Sequence, residues 1–249
     1  MPVHRTPWGD FPNVVVHSNL VVMRAHPAYA EAKEGGLRAA RAVVRDLFKA
    51  GAAVPRTDYV APVVQLDVKE RWNALPMALA VRLAEHTGAR VVPTIVQSNV
   101  VYHTGAEARQ RLAHQPQFAG KVPAGSYLIV DDVVTFGSTL ANLRGHIEVH
   151  GGRVAAASTL GAGIFAARIR PDPAVLTSLQ QRFGHELAHT TRTLGFTPGC
   201  LTNKEAWFLR GLAQLEGIRS AGAQAEGGGQ PAVRTDAGAV RGQGMRAGV

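Results

Sequence analysis

The sequence predicts an α/β protein built on an open parallel sheet with helices on both faces. Three observations carry that expectation. Several short β-branched segments are apolar throughout, with no inside–outside alternation, as strands covered on both faces must be. These segments alternate with stretches of helical periodicity, which parallel pairing requires as crossovers. One of them runs through two adjacent acids into a small-residue turn and a further helical stretch, the arrangement of a ligand site at the carboxyl edge of such a sheet.

Taken in order, the apolar positions Ala32, Leu37, Ala40, Val43, Val44, Leu47 and Phe48 predict an amphipathic helix within Pro27 to Ala50, ended by Gly51. Tyr59 to Val64 is short, apolar and β-branched, a buried strand, and Ala74 to His86 reads as a helix stopped at Gly88. Ala89 to Val96 repeats the strand pattern. Further strands are expected at Ser126 to Val130 and Arg153 to Leu160, with a helix from Thr139 to His150 between them. The polar stretch Gln97 to Val122, with His103, Arg109, Arg111 and His114, interrupts this rhythm just before the acid-bearing strand; long interruptions of this kind are usually functional loops or disordered segments.

A chain of 249 residues with 46% hydrophobic and 18% charged residues can bury one sizeable core with a small appended element. Residues 1 to 218 are therefore read as one domain. Residues 219 to 249, rich in Gly, Ala, Gln and Arg, carry too little apolar surface to offset the entropy of ordering and are expected to be a disordered tail. No apolar run reaches the ~18 residues of a membrane span and the N-terminus lacks a signal-peptide pattern, so a cytoplasmic location without membrane contact is expected. Cys200 is the single cysteine, which excludes an internal disulfide and cysteine-pair zinc sites. A formal charge of +9 welcomes an anionic partner, and phosphorylated small molecules and nucleic acid both qualify, since charge alone does not choose between them.

The chemistry concentrates in Tyr127-Leu-Ile-Val-Asp131-Asp132-Val-Val-Thr135-Phe136-Gly137-Ser138-Thr139-Leu140. Carboxylates at a strand end accept from hydroxyls, and the amides of a small-residue turn at a helix start converge on a phosphate. An apolar strand, two acids, two apolar residues, Thr, Gly and a Ser-Thr pair resemble the signature of type I phosphoribosyltransferases. The resemblance covers roughly residues 59 to 160. It implies a phosphoribosyl-pyrophosphate site in which Asp131 and Asp132 hold the ribose hydroxyls and Thr135, Phe136, Gly137, Ser138 and Thr139 the 5-phosphate. It also implies Mg²⁺ carried mainly by the ligand's own oxygens near the two acids, a small-molecule acceptor, a nucleotide-salvage role, and a homodimer.

A second segment, Gln65-Leu-Asp67-Val-Lys69-Glu-Arg71-Trp72-Asn73, is similar to the basic pyrophosphate loop of the branch found in competence proteins and amidophosphoribosyltransferases, without that branch's cysteine-pair zinc module. The resemblance places Lys69 and Arg71 on pyrophosphate. It makes Gln97 to Val122 a closing catalytic loop, with Arg109, Arg111 and Asp132 as catalytic candidates and His103 and His114 behind them. Acceptor specificity would come from a variable hood formed by residues 1 to 30, by 183 to 210, or by both. Enzymes acting on 6-oxopurines carry an acid where this chain has Thr135, which disfavours hypoxanthine or guanine. The alternative function is a regulator that senses phosphoribosyl pyrophosphate, or binds nucleic acid, without turnover. His185-Glu-Leu-Ala-His189 meets the zinc-protease pattern His-Glu-x-x-His, but no third ligand is identified, and exposed histidines on a helix are expected instead.

Overall fold

The computed structural model describes residues 3–65, 72–99, 108–215 and 218. Its elements are, in chain order, β1 (Val15–Val16), α1 (Leu20–Ala25), α2 (Tyr29–Lys33), α3 (Leu37–Leu47), β2 (Tyr59–Pro62), β3 (Val64–Gln65), α4 (Leu75–Thr87), β4 (Arg90–Val91), β5 (Val96–Gln97), α5 (Ala108–Ala113), β6 (Phe118–Ala119), β7 (Ser126–Val134), α6 (Ser138–Val149), β8 (Arg153–Ala162), α7 (Pro173–Thr193) and α8 (Asn203–Arg210). The main sheet has the order β1-β8-β7-β2-β4, and every pairing in it is parallel. It is the open α/β sheet that the uniformly apolar segments predict.

Side-chain alternation on β7 explains that uniformity. Tyr127 and Ile129 pack with Leu140, Leu143 and Ile147 of α6, whereas Leu128 and Val130 pack with Val43 of α3 and with Leu79 and Leu83 of α4. Both faces are apolar because both are covered, and each fully buried Leu or Ile contributes about 1.5–3 kcal/mol. A third cluster holds Val175, Leu179 and Leu187 of α7 together with Ala206 and Leu209 of α8, and Leu112 of α5 joins it.

Several elements depart from the expected bounds. The helix expected within Pro27 to Ala50 is two, α2 and α3, because Gly35 adopts a φ of 102° and lies so near Trp72 that a Cβ would meet the indole at 3.2 Å. The strand expected over Ala89 to Val96 is divided: a turn at Pro93 and Thr94 separates β4, in the main sheet, from β5, in a second sheet of order β3-β5-β6. The described part of the polar stretch is accordingly built of β5, α5 and β6. The acid-bearing strand does not stop at Val130 but continues through Asp131 and Asp132 to Val134, paired with β8.

The N-terminal segment crosses α6 at Gly145, where a Cβ would stand 2.1 Å from the carbonyl oxygen of His4, a contact only glycine permits. No helix among the described residues is long and apolar enough to cross a membrane. Residues 219 to 249, expected as a tail, lie outside the described residues.

Candidate functional site

A cavity of about 600 Å³ opens at the carboxyl ends of β2 and β7. β7 delivers Asp131 and Asp132 to it, and the connection to α6 delivers Thr135, Phe136, Gly137, Ser138 and Thr139. Gly137 sits at the N-cap of α6 with a φ of 89°, the left-handed conformation that lets the chain turn sharply into the helix. The first backbone N–H groups of α6 have no partners within the helix, and the helix dipole favours negative charge beside them. The paired acids and the small-residue turn thus line one cavity.

The two acids have different surroundings. Asp132 is buried and accepts a hydrogen bond and ion pair from Lys33 Nζ on α2 at 2.9 Å. Asp131 accepts the backbone N–H of Asp132 at 2.8 Å. Burial, and then the neighbouring Asp132 charge, raise the Asp131 carboxyl well above the usual carboxylate range. Burial alone would lower the Lys33 ammonium, but the Asp132 carboxylate outweighs it and raises it. Arg24 of α1 and Tyr29 of α2 also line the cavity, as do Val63, Gln65 and Gln97 of the small sheet and its entry.

Of the arginines expected on the closing loop, the structure distinguishes two neighbours. Arg111 lines the cavity and donates from Nη1 to Thr135 Oγ1 at 3.4 Å. Arg109, on the same helix, is half-buried but is not part of the lining. His114 is exposed and its ring is held by the Gln110 carbonyl at 3.1 Å. His103, Lys69 and Arg71 lie outside the described residues. Of the aromatic–Asn pair that follows them, Asn73 lines the cavity and accepts the Leu75 N–H at 3.2 Å, whereas Trp72 packs into the α2–α4 core.

Behind the turn that opens α6 is a buried polar network. Ser138 Oγ donates to Glu205 Oε1 at 2.6 Å, so its hydroxyl is committed to α8. Glu205 also receives Arg5 in bidentate fashion, Nη1 at 2.7 Å and Nη2 at 2.8 Å, and completes a capping box with Thr202. Burial pushes the Glu205 carboxyl up, but the Arg5 charge and four hydrogen-bond donors bring it below its ordinary value. Arg5 further donates to Asn142 of α6 at 2.5 Å and to Gln115, just after α5, at 2.6 Å. Thr202 Oγ1 donates to the Phe136 carbonyl at 2.7 Å, pinning the turn from above. The single cysteine, Cys200, is buried at the edge of this network. His185 and His189 are exposed on α7, just after its break at Gly184.

Lys33, Arg24 and Tyr29 are the cavity residues that sequence reasoning missed. Tyr29 and Lys33 fall inside what reads as one amphipathic helix, where a lone Lys is ordinarily solvated, and Arg24 lies just before it; the pair Gly35-Gly36 was the signal that the helix ends and its last residue turns inward.

No protein-family model matches the chain. It is 36% identical over 227 residues to Protein TraN of Escherichia coli, covering 86% of this chain and 50% of that protein. It is 32% identical over 151 residues to an uncharacterized protein of Haemophilus influenzae, covering 57% and 34%. The chain therefore spans about half the length of the first relative and about a third of the second. Among solved structures it is similar to a purine phosphoribosyltransferase from Pyrococcus horikoshii, at 16% identity and a TM-score of 0.28, over 57% of this chain and 75% of that one.

Proposed function

We propose that the chain is a phosphoribosyltransferase that moves the phosphoribosyl group of phosphoribosyl pyrophosphate to a base or amine and releases pyrophosphate. One observation carries the reading: the paired acids of β7 and the left-handed turn opening α6 line a single cavity together with Arg24, Lys33 and Arg111. In this reading Asp131 and Asp132 accept the ribose hydroxyls; Asp132 gives Oδ2 to Lys33 and keeps Oδ1 for the sugar. The N–H groups of residues 135 to 139 donate to the 5-phosphate, and the arginines and lysine balance the remaining charge.

Transfer breaks the bond between the anomeric carbon and pyrophosphate and forms one to the acceptor nitrogen, through a cation-like transition state. The protein's part is to hold both partners in line and to stabilise the separating charge, so no covalent nucleophile is needed. The donor set suits Mg²⁺ held mainly by ligand oxygens and water, since Lys33 already occupies one carboxylate oxygen of Asp132. When bound there, Mg²⁺ would neutralise pyrophosphate charge.

The test is calorimetry with phosphoribosyl pyrophosphate and Mg²⁺, followed by pyrophosphate release against a panel of bases and amines. Asp131→Asn and Asp132→Asn should each weaken binding by about tenfold to a hundredfold, the loss of a hydrogen bond to a charged group. Parental affinity in both variants would sink the assignment, and tight binding without turnover on any acceptor would leave a sensor.

A further inference from the structure

A second cavity, of about 890 Å³, shares no lining residue with the first. It lies between the N-terminal segment, the connection from β8 to α7, and α8, and its lining joins aromatic rings to cations. Phe165 is 68% exposed, and it is the single non-glycine residue with a positive φ, 58°, among the described residues. An aromatic residue in that conformation is uncommon and persists where the surrounding structure holds it, so the ring is presented rather than left over. Trp207 of α8 is 50% exposed, with the Arg210 guanidinium 4.7 Å from its ring centre. Arg168 and Lys204 line the same groove from two separate elements and make no ion pair among the described residues. Arg170 joins them while donating to the Gly9 carbonyl at 2.7 Å, 3.6 Å from Asp10. The one acid in the lining, Asp172, is used to cap α7 through the Ala174 N–H at 2.8 Å.

We propose that this groove binds single-stranded nucleic acid, with Phe165 and Trp207 stacking on bases and Arg168 and Lys204 contacting phosphates. The pairing of flat apolar faces with unpaired cations is what an unstacked, polyanionic strand requires. A duplex hides its base faces and could use only the cations. A second copy of the chain would bring +9 of like charge to a basic surface. Residues 219 to 249 would bring Arg219, Arg234, Arg241 and Arg246 against Glu226 and Asp236, again the wrong sign. A bilayer calls for a convex apolar projection, whereas these rings line a concavity.

The experiment is fluorescence anisotropy of the full chain with labelled oligo-dT, oligo-rU of equal length, and a duplex of the same length, over a range of salt. Single strands should bind more tightly than duplex, and the comparison of dT with rU assigns the sugar preference. A Phe165→Asn, Trp207→Ala variant should weaken single-strand binding by about tenfold or more while leaving the salt dependence in place. Asn is chosen because it tolerates a positive φ. An Arg168→Gln, Lys204→Gln variant should instead flatten the slope of log affinity against log salt by about 1.4. Four outcomes would each overturn the proposal: no binding by the parent, equal affinity for duplex, groove variants that bind as the parent does, or loss of binding only when the four arginines at 219, 234, 241 and 246 are changed to Gln. Binding to anionic lipid vesicles that depends on Phe165, with none to oligonucleotides, would overturn it in favour of a membrane surface.

Discussion

His17 shows how much one buried side chain can contribute. It is 1% exposed at the end of β1, its ring stacked on Phe48 with centroids 4.5 Å apart. Nδ1 accepts the Lys49 N–H at 3.3 Å, so Nε2 carries the proton towards Ser158 Oγ, 3.0 Å away. Burial lowers its pKa from 6.5 to about 4, with nearby Lys49 and His86 adding to the effect. The unfolded chain therefore takes up a proton that the folded chain refuses between about pH 6.5 and pH 4. Stability should be intact above that window and fall within it, by roughly 3 kcal/mol for this residue alone. Urea unfolding of the parent and of His17→Gln checks this: the parent should lose more stability than the variant between the two ends of the window, and parallel losses would refute the assignment. Nothing in the sequence around His17 marks it as buried, because its partners Phe48, Lys49 and Ser158 come from distant segments.

At the scale of elements, α5 separates a catalyst from a passive site. Arg111 reaches the Thr135 hydroxyl and lines the cavity, whereas Arg109 does not. If α5 serves a transition state in which charge accumulates on pyrophosphate, Arg111→Gln should lower kcat much more than it raises the Kd for phosphoribosyl pyrophosphate, and Arg109→Gln should change either less than threefold or so. A rise in KM with unchanged kcat would mean that Arg111 merely attracts an anion. The crossing of the N-terminal segment over α6 gives a second test. Gly145→Ala places a methyl group against the His4 carbonyl and should cost about 1–3 kcal/mol of stability and expose the N-terminal segment to limited proteolysis. An unaffected melting temperature would show that the segment yields without cost. The strands β2, β7 and β8 and the helices α4 and α6 were legible because each is a contiguous apolar or helically periodic run, whereas the two-residue β1, in the segment expected to form a hood, was not. The break at Gly35 left only the Gly35-Gly36 pair as its signal, and the divided strand after Pro93 left none, because it is decided by what packs against it, the strand β6.

For the molecule as a whole, Glu205 is the point where four separate parts of the chain meet: the N-terminal segment through Arg5, α6 through Ser138, α8 through its own cap, and the end of α5 through Arg5 and Gln115. Glu205→Gln leaves the Arg5 charge buried and uncompensated, and should cost about 3–5 kcal/mol in urea unfolding. Replacing both partners, as Arg5→Met with Glu205→Leu, should recover most of that loss, and failure to recover it would show that the hydrogen bonds to Ser138 and Asn142 matter more than the charge. The acids and the turn of the site could be read from the sequence because they are contiguous. Their supports could not, since Lys33 precedes Asp132 by 99 positions and Arg5 precedes Glu205 by 200.

That last separation has a consequence for how the protein is made. A ribosome delivers the chain from its N-terminus, so Arg5 is in solution long before Glu205 has been polymerised. Until then Arg5 lacks the carboxylate that balances its charge, the Ser138 hydroxyl lacks its acceptor, and the turn at Gly137 lacks the Thr202 contact that pins it. A nascent chain halted before α8 would carry both acids, with Lys33 already beside Asp132, yet leave the turn after them unsupported.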